Sequence, residues 1–146
     1  MITWITESLA IGDFTDTLNL DLLHKEKVDS ILFLDSKEKS RRIMEAIKGE
    51  IDCSWYPVLT DPIENIWRFQ DECQAAYDEL SFSLSIGMKV LVSCIAGIDR
   101  SPFIVAMYLT KHCFVSYEDK LLKAYSLIKE KRPWIIEHYD WWNPLW

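Results

Sequence analysis

Apolar residues recur along this chain with two different periods, and the alternation between them predicts the fold. Trp4-Ile5 and Leu9-Ala-Ile11 read as short opening strands. Val28-Asp-Ser-Ile-Leu-Phe-Leu34 and Met88-Lys-Val-Leu-Val-Ser93 read as buried strands, and Ile51 to Leu59 as another. Helical stretches fall between them. Asn19 to Lys25 is a short one, with Asn19 as N-cap, and Lys37 to Lys48 is a second. A long helix follows, in which Ile66, Cys73, Ala76, Tyr77, Leu80 and Leu84 share a face and Gly87 is the stop. The apolar run from Ser101 to Leu109 extends as a helix to residue 112. A last helix starts at Ser116, with Asp119 three residues on as a capping box, and ends near Arg132-Pro133. Strands alternating with helices predict an α/β domain with a central mixed, mostly parallel sheet flanked by helices.

Composition bounds this picture without changing it. A chain of 146 residues, 49% of them hydrophobic, is long enough for one domain with a real core, and residues 1–146 are read as that single domain. Four glycines and five prolines leave no linker, and no segment is repetitive. No apolar run approaches the roughly 18 residues of a membrane span. The opening Met1-Ile-Thr-Trp-Ile-Thr6 lacks the zones of a secretion signal, so the expected compartment is the cytoplasm. A net charge of −7 argues against broad binding to nucleic acid or an anionic membrane. The basic run Ser36 to Arg42 is read as a solvated helix start rather than a binding patch.

Cys53, Cys73, Cys94 and Cys113 show no metal-like spacing with His24, His112 and His138, so free thiols and no metal are expected. Cys53, Cys73 and Cys113 lie in apolar patterns and read as small core residues, the three histidines as surface or structural. For Trp134, Trp141, Trp142 and Trp146, packing is favoured over an exposed partner surface.

One segment carries chemistry. Cys94-Ile-Ala-Gly-Ile-Asp-Arg100, followed by Ser101-Pro102, sits where a strand gives way to a helix. The unbonded amides and positive end of a helix N-terminus favour an anion there. A cysteine and an arginine with five residues between them can close a loop around one phosphate. The same donors that hold a phosphate dianion stabilise a thiolate, the reactive form of cysteine. The planar fork of Arg100 can hold two phosphate oxygens at once. Gly97 permits the positive φ that a ring of inward amides requires, and the Ser101 hydroxyl can donate to the Cys94 sulfur. Ile95, Ala96, Gly97, Ile98, Asp99 and Arg100 are the candidate phosphate ligands.

An attacking thiolate needs an acid to protonate the leaving oxygen. Asp61, in Leu59-Thr-Asp-Pro-Ile63, is the candidate. It has a competing reading, because Asp61, Pro62 and Glu64 also fit the N-cap, N1 and N3 of the long helix.

These residues together resemble the cysteine-dependent protein tyrosine phosphatases, specifically the compact dual-specificity class, over nearly the whole chain. Ser93 to Pro102 is similar to that family's HCxxGxxRS signature, Pro57-Val-Leu-Thr-Asp61 to its acid loop, Ile5 to Gly12 to its opening strand pair and Ala124 to Pro133 to its last helix. The resemblance implies a metal-free mechanism, without cofactor, through a phosphocysteine intermediate. Cys94 would be nucleophile, Arg100 phosphate ligand and Asp61 acid, with a phosphorylated protein as partner. Two residues depart from the pattern. Ser93 stands where the family usually has His, which orders the loop. Asp99 resembles the CxxGxDR form of some phosphoinositide phosphatases, as a second acid, as a charge that repels some substrates, or as a cap of the following helix.

The expected function is therefore a phosphomonoesterase acting on phosphotyrosine, phosphoserine and phosphothreonine in proteins. The same chemistry on a phosphoinositide, nucleotide or RNA 5′-phosphate is the alternative. A phosphate-binding module without turnover, kept open by Ser93, comes behind it. A rhodanese-like or arsenate-reducing thiol enzyme is last, because arsenate reductases of this chemistry carry the CxxxxxR loop near the N-terminus.

Overall fold

Two apolar faces on every central strand decide the architecture. The computed structural model describes residues 1–47 and 49–146. The strands are β1 (Thr3–Trp4), β2 (Leu9–Gly12), β3 (Ser30–Phe33), β4 (Asp52–Trp55) and β5 (Val90–Ser93), in the sheet order β1-β2-β5-β3-β4. Only the edge pair β1–β2 is antiparallel; β2, β5, β3 and β4 run parallel. Successive side chains of a strand point to opposite faces. Leu9, Ile11, Leu32, Leu34, Val90 and Val92 accordingly enter one core, and Ala10, Ile31, Phe33 and Leu91 the other. Burial on both faces is why the strands read as unbroken apolar runs.

Helices α1 (Phe14–Thr17), α2 (Leu20–Lys25), α3 (Lys37–Ile47), α4 (Ile66–Ser85), α5 (Arg100–His112) and α6 (Lys120–Lys131) flank the sheet. Helices α4, α5 and α6 cover the larger core, through Phe69, Cys73, Leu80, Phe103, Met107, Tyr125 and others. Leu23 of α2 and Ile43 and Ile47 of α3 close the smaller one. The expected α/β class with a mostly parallel sheet is the observed one. Asn19 caps α2 as expected, its Oδ1 accepting from the Leu22 amide at 3.0 Å. Gly87 follows the end of α4 with φ of 84°, the left-handed conformation that stops a helix. Lys48, the expected last residue of the second helix, lies outside the described residues.

Three expectations need correction. The strand expected over Ile51–Leu59 is regular only to Trp55. Tyr56 and Val58 still donate to Phe33 and Leu34, but amides two residues apart now reach adjacent carbonyls, so the one-to-one register of β4 on β3 is lost there. Helix α6 begins at Lys120, not Ser116, and Asp119 makes no capping bond. Phe114 packs on the core and meets Tyr117 edge-on, which holds 114–117 in a turn. Cys113 is exposed and Cys53 half-buried, so only Cys73 is a core cysteine as expected.

The last residues fold back over the core. Trp141 meets Phe69 and Phe103 edge-on at 5.2 and 5.4 Å, and Trp142 and Trp146 pack beside them, so these three tryptophans serve packing. Trp134 is exposed and covers Arg132, whose guanidinium lies 4.9 Å from its ring.

Arg132 is 1% exposed, and it ties together segments far apart in the chain. Its Nε donates to Gly97 O at 2.9 Å, and its Nη1 to Met1 O at 2.6 Å and Thr3 Oγ1 at 2.8 Å. Replacing Arg132 by Leu leaves those oxygens without their donor. A loss of about 2–5 kcal/mol in unfolding free energy is expected by urea denaturation, since each stranded buried group costs about 1–3 kcal/mol. A change under about 1 kcal/mol would show that the guanidinium is not structural.

Candidate active site

Parallel strands open a crevice at their carboxyl ends, and the loop from Cys94 to Asp99 leaves the central strand β5 there, before α5 begins at Arg100. What shapes the loop is the anchoring of its carbonyls. Ile95 O accepts from the Phe14 amide at 3.2 Å, and Ile98 O from the Ile136 amide at 2.9 Å. Gly97 O accepts from Arg132 Nε at 2.9 Å. A trans peptide whose carbonyl points outward points its amide the other way. The amides of Ala96, Ile98 and Asp99 are thereby turned to the inner side, and among the described residues none of them donates to another protein group.

Gly97 has φ of 65°. A Cβ there would lie 2.5 Å from Arg132 Nη2 and 2.9 Å from Gly12 O, so the position excludes a side chain twice over. Gly97 supplies the turn and faces the scaffold. Cys94, Ile95, Ala96, Ile98, Asp99 and Arg100 line a cavity of about 250 Å³, closed on its other side by Leu34, Asp35 and Leu59. Cys94 is 6% exposed at its base. Burial pushes the thiols of Cys53 (to about 11), Cys73 and Cys113 up, which disfavours each of them as a nucleophile.

Arg100 is fixed before any ligand arrives. Its Nε donates to Val58 O, and its guanidinium lies 5.6 Å from the Trp141 ring. Trp141 stacks flat on His138, with centroids 3.6 Å apart. His138 Nε2 is 2.8 Å from Asp99 Oδ1. This pairing corrects two expectations: Asp99 makes no side-chain cap to α5, and His138 is not an isolated surface residue but part of the wall of the site.

Asp61 is exposed and lies outside the cavity that holds Cys94. It lines a neighbouring cavity of about 650 Å³ with Arg100, His138 and Trp141. Its Oδ1 accepts from the Ile63 amide at 2.9 Å. The helix-cap reading fails, because α4 starts at Ile66, with Asn65 as the cap that accepts from the Arg68 amide. Ser101 follows Arg100 in the first turn of α5, fully buried, and its hydroxyl, like that of Ser93, has no hydrogen-bond partner among the described residues. Also among the described residues, no three His, Cys, Asp or Glu side chains gather as a metal site, and no helix is long and apolar enough to cross a membrane.

Two site residues escaped the sequence reading besides His138. Arg132 had no local signal, since an arginine before a proline at a helix end is ordinary. Asp35 had one: an acidic residue that directly follows an apolar strand, at the carboxyl end of a parallel sheet, where ligands bind. It is 4% exposed. Burial pushes its carboxyl above the usual range, while Lys39, the Ile95 amide and Arg100 pull it back.

The family model for the dual specificity phosphatase catalytic domain matches residues 10–146, and the chain belongs to that family. It is 32% identical over 106 residues to human dual specificity protein phosphatase 5, covering 73% of this chain and 26% of that protein. It is 28% identical to dual specificity protein phosphatase MPK-4 of Drosophila melanogaster, covering 90% of this chain and 32% of that protein. The chain thus spans about a third or less of these curated relatives. Among solved structures, the human tyrosine phosphatase-like serine/threonine/tyrosine-interacting protein superposes with a TM-score of 0.76 at 23% identity, over 96% of this chain and 89% of that one.

The crowding at Gly97 yields a direct test. Gly97→Ala forces a left-handed residue, at about 1–2 kcal/mol, and pushes Arg132 off its carbonyl. Lower thermal stability together with weakened inorganic phosphate binding is the expected outcome, read by calorimetry. An alanine variant with both intact would contradict the anchoring of the loop.

Proposed function

We propose that this chain hydrolyses phosphomonoesters on proteins (phosphotyrosine, phosphoserine and phosphothreonine) through a phosphocysteine intermediate. The observation that carries the reading is the loop itself: Cys94, Arg100 and the amides of Ala96, Ile98 and Asp99 converge on one small cavity. The amides and the Arg100 fork hold the three non-bridging oxygens of the phosphoryl group. The Cys94 thiolate attacks phosphorus and the bond to the leaving oxygen breaks. Asp61 gives that oxygen its proton as its loop swings toward the cavity. Water then attacks the phosphocysteine, Asp61 takes a proton from it, and the sulfur leaves as thiolate. The Ser101 hydroxyl, which has no hydrogen-bond partner among the described residues, Cys94 Sγ included, turns to donate to the departing sulfur.

A phosphoinositide headgroup is the second reading, favoured by one observation: Asp99 lines the Cys94 cavity, whereas Asp61 does not. Assays with a phosphotyrosine peptide, a phosphothreonine peptide and a phosphoinositide decide between the two. Cys94→Ser should abolish turnover of every substrate and still bind phosphate; hydrolysis by that variant removes Cys94 from its role. Arg100→Lys should fail as well, because a point charge loses the two-oxygen grip.

Asp61→Asn should slow phosphoserine and phosphothreonine peptides by about 10²–10⁴. Aryl phosphates with good leaving groups should be slowed far less, because a weakly basic phenolate departs without a proton. If that leaving-group dependence appears instead in Asp99→Asn, the acid is Asp99 and the phosphoinositide reading gains.

A further inference from the structure

Asp35 is the one residue of the cavity wall whose charge opposes the proposed ligand and whose carboxylate is nearly sealed from solvent. It follows Leu34 at the carboxyl end of β3, beside β5, where the Leu34 amide donates to Ser93 O at 2.9 Å. Its own backbone is pinned, since Trp55 Nε1 donates to Asp35 O at 2.8 Å. The side chain therefore has a fixed root, and it lines the same cavity as Cys94 and Arg100.

The charged groups around it are few. The positive charges of Lys39 on α3 and Arg100 on α5 favour its ionised form, as does the Ile95 amide that donates to its carboxyl. Cys94 lies at the base of the cavity and Asp99 on its wall, the latter engaged with His138. A dianion entering beside an ionised Asp35 would place two like-charged groups in a space of about 250 Å³ with little water to screen them.

We propose that Asp35 selects the charge state of the site: a dianionic phosphoryl group binds when Asp35 is protonated, and binding draws one proton from solvent onto the Asp35 carboxyl wherever that group is otherwise ionised. The proposal rests on the reading of the Cys94–Arg100 loop as a phosphate site. Protonated, Asp35 is neutral and can donate a hydrogen bond to a phosphoryl oxygen; ionised, it repels the same oxygen. The raised carboxyl fits this, because the folded chain already holds the proton to higher pH than the unfolded chain does. The sign for stability follows. The folded state binds more protons than the unfolded one as pH climbs from the ordinary carboxylate range to the raised value, so stability falls across that window.

The test uses inorganic sulfate, which stays a dianion throughout and so contributes no titration of its own. Its affinity is measured by calorimetry against pH for the wild-type chain, Asp35→Asn and Asp35→Ser, in two buffers of different ionisation enthalpy. Circular dichroism verifies that each variant is folded. In the wild type, affinity should fall by about tenfold per pH unit above the titration of Asp35, with one more proton taken up than in the variants. Both neutral variants should bind tighter than the wild type at every pH above the titration of Asp35, by a margin that widens about tenfold per pH unit, with a flatter profile. A residue that only shaped the cavity would not move the proton count. Sulfate binding with the same affinity, slope and proton uptake in all three proteins would overturn the role of Asp35 and leave the phosphate loop standing. Absence of sulfate binding by any of the three would overturn the loop reading and this proposal with it.

Discussion

A single buried guanidinium, that of Arg132, sets the geometry on which the site depends. It stands at the end of α6, yet its hydrogen bonds reach the phosphate loop at Gly97 and the opening segment at Met1 and Thr3. A guanidinium sealed from water must satisfy its donors within the protein, because an unpaired buried charge is costly. Carbonyls and a hydroxyl take that role here. The acceptor that matters for chemistry is Gly97 O. Holding it outward commits the next amide, that of Ile98, to the inner side of the loop. Glycine at 97 is then required twice, by its positive φ and by the guanidinium that occupies the space of a Cβ. Ile95 O and Ile98 O are held by Phe14 and Ile136, so three segments far apart in sequence aim one set of donors.

The second support is aromatic. Trp141 takes its place through edge-on contacts with Phe69 of α4 and Phe103 of α5, then offers its ring to Arg100 and its face to His138. The core and the site are therefore one packing problem. Arg100 is held at Nε by Val58 O and beside the tryptophan, which reduces the side-chain freedom it would lose on gripping a phosphoryl group.

Acidic groups crowd an anion site, and each is handled differently. Asp99 is engaged by His138. Asp61 stays on an exposed loop, its carboxylate accepting from a local amide. Asp35 is buried against the cavity and pushed toward its neutral form. The arrangement separates three carboxyl groups by environment rather than by type, which lets one site hold a dianion and also keep acids near it.

The residues of Cys94 to Ser101 were legible because their meaning is local. A cysteine, a glycine and an arginine at that spacing, between an apolar strand and an apolar helix, need no distant contact to be read. The same holds for the parallel sheet, whose strands are apolar on both faces, and for Asn19 as a cap, a bond closed within four residues. Tertiary structure decided the rest. The strand after Ile51 ends where Tyr56 and Val58 reach adjacent carbonyls and its register on β3 is lost, α6 starts late because Phe114 finds the core, and Cys113 is exposed although its pattern is apolar. Asp61 is no helix cap because α4 starts at Ile66. Arg132, His138 and Asp35 join the site across separations of 35, 39 and about 60 residues, the first two as hydrogen-bond partners of Gly97 and Asp99 and the last as a wall of the Cys94 cavity. Short-range periodicity and capping are written in neighbouring residues, whereas the partner of a buried charge depends on which distant segment the packed core brings beside it.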